Sequence, residues 1–179
     1  MKYTVTNSVG EQIELDLTSE QAKSMGVPEH MIIRQTGYER VPLGERYWIY
    51  NGDSIMDLRE DGDLTDNEYY TTAANYYSSS KVAWANHRAD TLLRKLRQYA
   101  AEHGGITTKK DWADSGVCKY FIAYQEEGGF DLFVESYCAE QFAGVVYFKD
   151  KQACWDAIKM FHDELIWYFT KYEPMLYEE

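Results

Sequence analysis

SKVAWANHRADTLLRKLRQYAAEH, residues 80–103, places Val82, Ala85, Ala89, Leu92, Leu93, Leu96, Tyr99 and Ala100 at spacings of three and four. That period puts them on one face of an amphipathic helix, and Gly104-Gly105 marks its end. A second stripe, Ala153, Ala157, Ile158, Phe161, Leu165 and Phe169, predicts a closing helix between Lys151 and Thr170, with Pro174 beyond it. Lys119 to Tyr124 and Phe130 to Tyr137 flank Gln125-Glu126-Glu127-Gly128-Gly129 as a hairpin, with Val145 to Phe148 as a third strand. Upstream, Tyr47 to Tyr50 runs into Asn51-Gly52, a turn signal because both residues tolerate positive φ, and a return strand is expected from Ser54.

At the N-terminus, Tyr3 to Asn7 and Gln12 to Leu17 alternate about Ser8-Val9-Gly10-Glu11. A capping-box pattern from Thr18 to Gln21 then opens a helix that should stop at Gly26, with a short turn from Pro28 through Ile33. Hairpins followed by helices, with no need for parallel crossovers, define an α+β fold. The expected architecture is antiparallel hairpins packed against two long amphipathic helices, after an N-terminal ββα unit. Gln35-Thr36-Gly37 is the expected joint, giving residues 1–36 as the ββα unit and 37–179 as the main domain.

A chain of 179 residues with 45 % hydrophobic residues can bury a core without disulfides or a metal. Cys118, Cys138 and Cys154 are odd in number, widely spaced and lack a CxxC pair, which predicts reduced thiols in a cytosolic protein. No apolar run approaches a signal-peptide core or the roughly 20 residues of a membrane helix, so no membrane association is expected.

The charge is unevenly placed. Asp53, Asp57, Glu60, Asp61, Asp63, Asp66 and Glu68 face a single cation, Arg59, across residues 53–68, and carry half of the net charge of −12. Such a tract attracts the basic surfaces with which proteins hold nucleic acid, and repels nucleic acid itself. It reads either as a phosphate mimic or as a solvated acidic hairpin. Tyrosine is abundant, with sixteen in the chain. Tyr69, Tyr70, Tyr76 and Tyr77 follow the tract as anchors of a protein-binding surface would, although tyrosines equally pack cores with their hydroxyls at the rim. The long helix carries the opposite sign: Arg88, Arg94, Lys95 and Arg97 suit either a weak nucleic-acid contact or pairing with the chain's own acids.

Catalytic patterns fail on their spacing. Counting Asp57 as the first position, the acidic tract places Asp61, Gly62, Asp63 and Glu68 as a calcium loop would, but Arg59 stands where a ligand oxygen is needed. Asp131 and Glu135 share a strand face that suits a magnesium ion, yet no lysine follows at nuclease spacing. His30, His87, His103 and His162 are scattered, and His162 lies two helical turns from Cys154, too far to activate it. No GxSxG, GxxxxGKS/T or GxGxxG pattern occurs. Neither enzyme activity nor a metal or other cofactor is expected.

Gly37-Tyr38-Glu39-Arg40-Val41, Gly44-Glu45-Arg46-Tyr47-Trp48, the acidic tract to Asn75-Tyr76-Tyr77, Val145-Val146-Tyr147-Phe148 and Glu164-Leu165-Ile166-Trp167-Tyr168-Phe169 together give a chain that resembles uncharacterised accessory proteins of Firmicutes phages and prophages. Some of that group look like anti-CRISPR proteins that inhibit Cas9-type nucleases. The resemblance implies an inhibitor acting in the cytoplasm of a bacterial host cell on a Cas9-type effector or another nucleic-acid-binding protein. The alternatives are a metal-dependent nuclease built on Asp131 and Glu135, and a phage regulatory module that binds DNA through the Arg88 to Arg97 face.

Overall fold

A computed structural model describes residues 2–6, 12–16, 21, 24–25, 36–51, 56–62, 64–126, 131–173 and 175. The fold is α+β. Among the described residues, six strands pair as three two-stranded antiparallel ladders: β1 (Lys2–Thr6) with β2 (Gln12–Asp16), β3 (Arg46–Tyr50) with β4 (Met56–Glu60), and β5 (Lys119–Gln125) with β6 (Asp131–Tyr137). The helices are α1 (Leu64–Thr71), α2 (Ser80–Glu102), α3 (Lys109–Ala113), α4 (Lys151–Met160) and α5 (His162–Trp167), and a π-helical turn, Tyr168–Tyr172, follows α5.

Contacts group the chain into two units, Met1–Trp84 and Ala85–Glu179. Residues 26–35, which lead into the expected joint after residue 36, lie outside the described residues, as do most of the first predicted helix and the whole turn from Pro28. The N-terminal hairpin is present, with Tyr3 opposite Leu15 and Val5 opposite Ile13.

In the first unit, Tyr50 pairs with Met56, and Ser54, from which the return strand is expected, lies outside the described residues. A third segment extends this ladder. Trp48 and Tyr77 exchange backbone hydrogen bonds of 2.7 and 2.9 Å. The Asn75 carboxamide imitates a strand neighbour, accepting from the Tyr50 N–H at 3.2 Å and donating to its carbonyl at 2.9 Å. Gly37 has φ +86°, and a Cβ there would meet Val82 Cγ2 at 2.5 Å, so only glycine lets the backbone approach α2 this closely.

In the second unit, the α2 stripe behaves as its period requires: Ala85, Ala89, Leu92, Leu96, Tyr99 and Ala100 are buried. Leu92, Leu96, Tyr99 and Ala100 meet Leu132, Phe148, Cys154, Ala157, Ile158 and Leu165 in one core. The helix ends where two glycines take positive φ, +110° at Gly104 and +87° at Gly105, whose N–H bonds the Ala100 carbonyl at 3.1 Å.

Three expectations for this unit need correction. The 145–148 segment is not a full strand, because it meets β5 only through a bridge in which Tyr120 and Phe148 exchange backbone hydrogen bonds. The closing helix is not continuous either. It breaks at Phe161 (φ −111°, ψ 20°) and widens into the π-turn, where the Thr170 hydroxyl bonds the Ile166 carbonyl at 2.6 Å.

The third correction concerns the cysteines. Cys118 and Cys138 form a disulfide across the base of the β5–β6 hairpin, with Cα atoms 4.3 Å apart, while Cys154 is free and buried. The pairing continues the ladder beyond Lys119 opposite Tyr137. Lys119, fully buried beside it, donates from Nζ to the carbonyls of Cys138 (2.6 Å) and Asp114 (3.2 Å) and lies 4.8 Å from the Trp112 ring centre. Backbone carbonyls and a ring face thus meet a charge that burial would otherwise destabilise.

No described helix is long and apolar enough to cross a membrane. A disulfide closing a segment of separation 20 stabilises by about 3 kcal/mol in the chain-entropy account. Reduction should therefore lower the unfolding midpoint of the second unit, as calorimetry with and without reductant will show. An unchanged midpoint would remove the disulfide from the list of what holds the hairpin. Burial pushes the Cys154 thiol up to about 12, so a thiol-reactive dye should label it only on unfolding.

Candidate protein-binding surface

The acidic tract divides into an inner and an outer set. Strand β4 carries Asp57 and Glu60 and is followed by Asp61, while Asp66 and Glu68 lie on α1. That helix is absent from the sequence expectation, which offered only a return strand from Ser54 and an acidic hairpin. LTDNEYYT has no apolar stripe to announce a helix, and the local signal is only Asp63, a cap-type residue, three positions before Asp66.

Asp61 is 1 % exposed. Its carboxylate receives a two-pronged contact from Arg40, Nε to Oδ2 at 2.8 Å and Nη2 to Oδ1 at 2.9 Å, and a third donor, the Tyr76 hydroxyl, at 2.7 Å. Tyr76 in turn accepts from the Val41 N–H at 3.1 Å. Asp66, also buried, accepts from the Tyr47 hydroxyl and from the Gly62 N–H at 2.8 Å. It occupies the first turn of α1, where a carboxylate suits the positive end of the helix dipole. The Tyr47 and Tyr76 rings stack between the two carboxylates, with centroids 3.9 Å apart and planes 11° from parallel. Tyr70 meets Tyr76 edge-on at 5.3 Å.

These contacts fix the ionisation of the cluster. Arg40 hydrogen bonds, helped by Tyr76 and opposed by burial, hold the Asp61 carboxyl below its ordinary range. Burial and then the hydrogen bond to Asp66 raise the Tyr47 hydroxyl well above its usual value, and burial and then the bond to Asp61 do the same for Tyr76.

As a correction to the predicted surface, Asp61, Asp66, Tyr76 and Tyr77 face the interior of their own unit, Tyr77 being 3 % exposed. They hold β3, β4 and α1 together and are withdrawn from contact with a partner. Glu60, Glu68 and Tyr70 are exposed, and Tyr69 is half-buried under Arg59, whose guanidinium lies 5.2 Å from its ring centre. Asp53 and Asp63 lie outside the described residues, as does the side chain of Asp57. The sequence missed Arg40, Tyr47 and Asn67 as parts of this cluster; Arg40 Nη1 also donates to Asn67 Oδ1 at 3.0 Å. The nearest available clue was Arg40, the one cation between Gln35 and Glu45.

The basic helix face is also partly absorbed. Arg88 donates to both oxygens of Glu164, at 2.7 and 3.1 Å, and covers the Trp167 ring at 3.9 Å. Arg94, Lys95 and Arg97 are exposed, with Arg94 bonded to Thr91. Glu135 is exposed and accepts from the Ser136 N–H, and among the described residues no three acids, histidines or cysteines gather as a metal site would need. Comparison with protein-family models, curated proteins and solved structures returned no match.

Tyr47→Phe and Tyr76→Phe should each destabilise the first unit by about 1–3 kcal/mol, since each removes a hydrogen bond to a buried carboxylate, and denaturant unfolding will measure it. The pH dependence has two edges. Because the folded Asp61 pKa is depressed, its contribution is complete above the ordinary carboxylate value of about 4 and is lost as pH falls through the folded value. Because the tyrosine values are raised, their contribution is complete below about pH 10 and is lost on further alkalinisation. Unfolding midpoints measured across pH should trace both edges, and Tyr47→Phe should shrink the alkaline one.

Proposed function

We propose that the chain is a non-catalytic acidic inhibitor that binds the basic nucleic-acid-holding surface of a host protein, with a Cas9-type effector as the partner suggested by its resemblance to phage accessory proteins. One observation carries the reading: residues 53–68 concentrate half of the chain's net charge, and Glu60 and Glu68 of that tract, like Tyr70, are exposed. Glu45 is exposed on the same unit and adds to the field. An effector of this kind holds guide and target in positively charged channels, and reads its adjacent motif through basic side chains. Carboxylates set on a folded unit complement such channels, and tyrosine supplies contact area at low entropic cost.

The cytoplasmic setting carries a condition. Bacterial cytosol keeps most thiols reduced, so there the second unit would work with Cys118 and Cys138 as a dithiol. The acidic surface belongs to the other unit and does not use that bond.

The test separates surface charge from structural charge. Glu45→Gln, Glu60→Gln and Glu68→Gln combined should weaken binding to a purified Cas9-type effector by about ten-fold or more and restore target cleavage, with unfolding unchanged. Raising salt should weaken the unmodified protein in the same direction, because exposed charge pairs are screened. Undiminished affinity in the neutralised variant, or no binding to effectors with and without guide RNA, would overturn the proposal.

A further inference from the structure

The second unit holds an open cleft of about 370 Å³ lined by α2, the hairpin, the 143–148 segment and the π-turn. Its walls are hydrocarbon and aromatic: Leu93, Leu96, Tyr124, Val146 and Phe169 contribute, and Tyr124 and Phe169 stack with centroids 5.4 Å apart. Glu173 is the one charged residue among the described lining residues. It directly follows the π-turn, and such turns recur at functional sites because they displace side chains from the α-helical register. The volume lies in the range of small-molecule sites.

The lining defines the occupant. Apolar walls favour a hydrocarbon body in proportion to the surface it removes from water. A carboxylate at the edge of such a site is poorly solvated and is best complemented by a cation. Burial accordingly lifts the Glu173 carboxyl above its ordinary value. Aromatic faces nearby also favour an ammonium group.

We propose that this cleft binds a lipophilic amine, its hydrocarbon body against Leu96, Val146 and Phe169 and its ammonium on the Glu173 carboxylate. The inference is independent of the acidic surface, which belongs to the other unit, so either can fail without the other. The test uses the full chain with 4-phenylbutylamine and its neutral counterpart 4-phenylbutan-1-ol, titrated calorimetrically and followed by NMR shifts of the cleft methyl groups. The amine should bind about ten-fold tighter than the alcohol, and Glu173→Gln should abolish that preference while leaving alcohol binding in place. Ala143→Trp, at an exposed lining position, should weaken both ligands without unfolding the protein. Equal affinities for amine and alcohol, a preference that survives Glu173→Gln, or the absence of saturable binding would each overturn the assignment.

Discussion

A carboxylate with almost no access to water must be met by donors or be neutralised, and Asp61 is met by three. Its pairing with Arg40 governs the first unit. Arg40 must fold back over the β3–β4 ladder, Tyr76 must turn its hydroxyl inward, and α1 must stand close enough for Asn67 to take the remaining guanidinium contact. The stacked Tyr47 then carries the pattern to Asp66. Isolated carboxylates would oppose burial, but carboxylates with matched donors impose one arrangement on their neighbours, because removing a partner leaves a charge stranded.

The second unit relies on a different balance. Its core is hydrocarbon from α2, the hairpin, α4 and α5, and its main polar device is Lys119, held by carbonyls next to the hairpin's covalent base. Arg88, Glu164 and Trp167 bind α2 to α5 at the surface of the same core. One unit is therefore organised around a polar cluster and the other around apolar packing, although both use antiparallel ladders and helices.

What the sequence revealed follows from what has a period. Leu92, Leu96, Ala157 and Leu165 recur at helical spacing, and the short apolar runs around Phe121 and Val134 flank a glycine-containing turn, so α+β hairpins with long helices were legible. Helix α1 was not, because Asp66, its one buried residue among those described, docks through polar contacts, and no hydrophobic pattern marks such a helix. The same limit applied to the candidate surface. Counting carboxylates located the charge but could not tell Glu60, exposed at the end of β4, from the next residue, Asp61, which is buried. Cys118 and Cys138 lacked any motif, and only strand register brings them together. The break at Phe161 and the π-turn leave the apolar stripe nearly intact and so give no warning in composition.

The bond between Cys118 and Cys138 makes the covalent identity of the molecule depend on its history. Material taken from a reducing cell extract and material refolded in air share every residue, yet one is an open chain and the other contains a closed loop around β5 and β6. Studies that exchange such preparations would compare two molecules under one formula, and mass or gel mobility before and after reduction assigns each sample to its form.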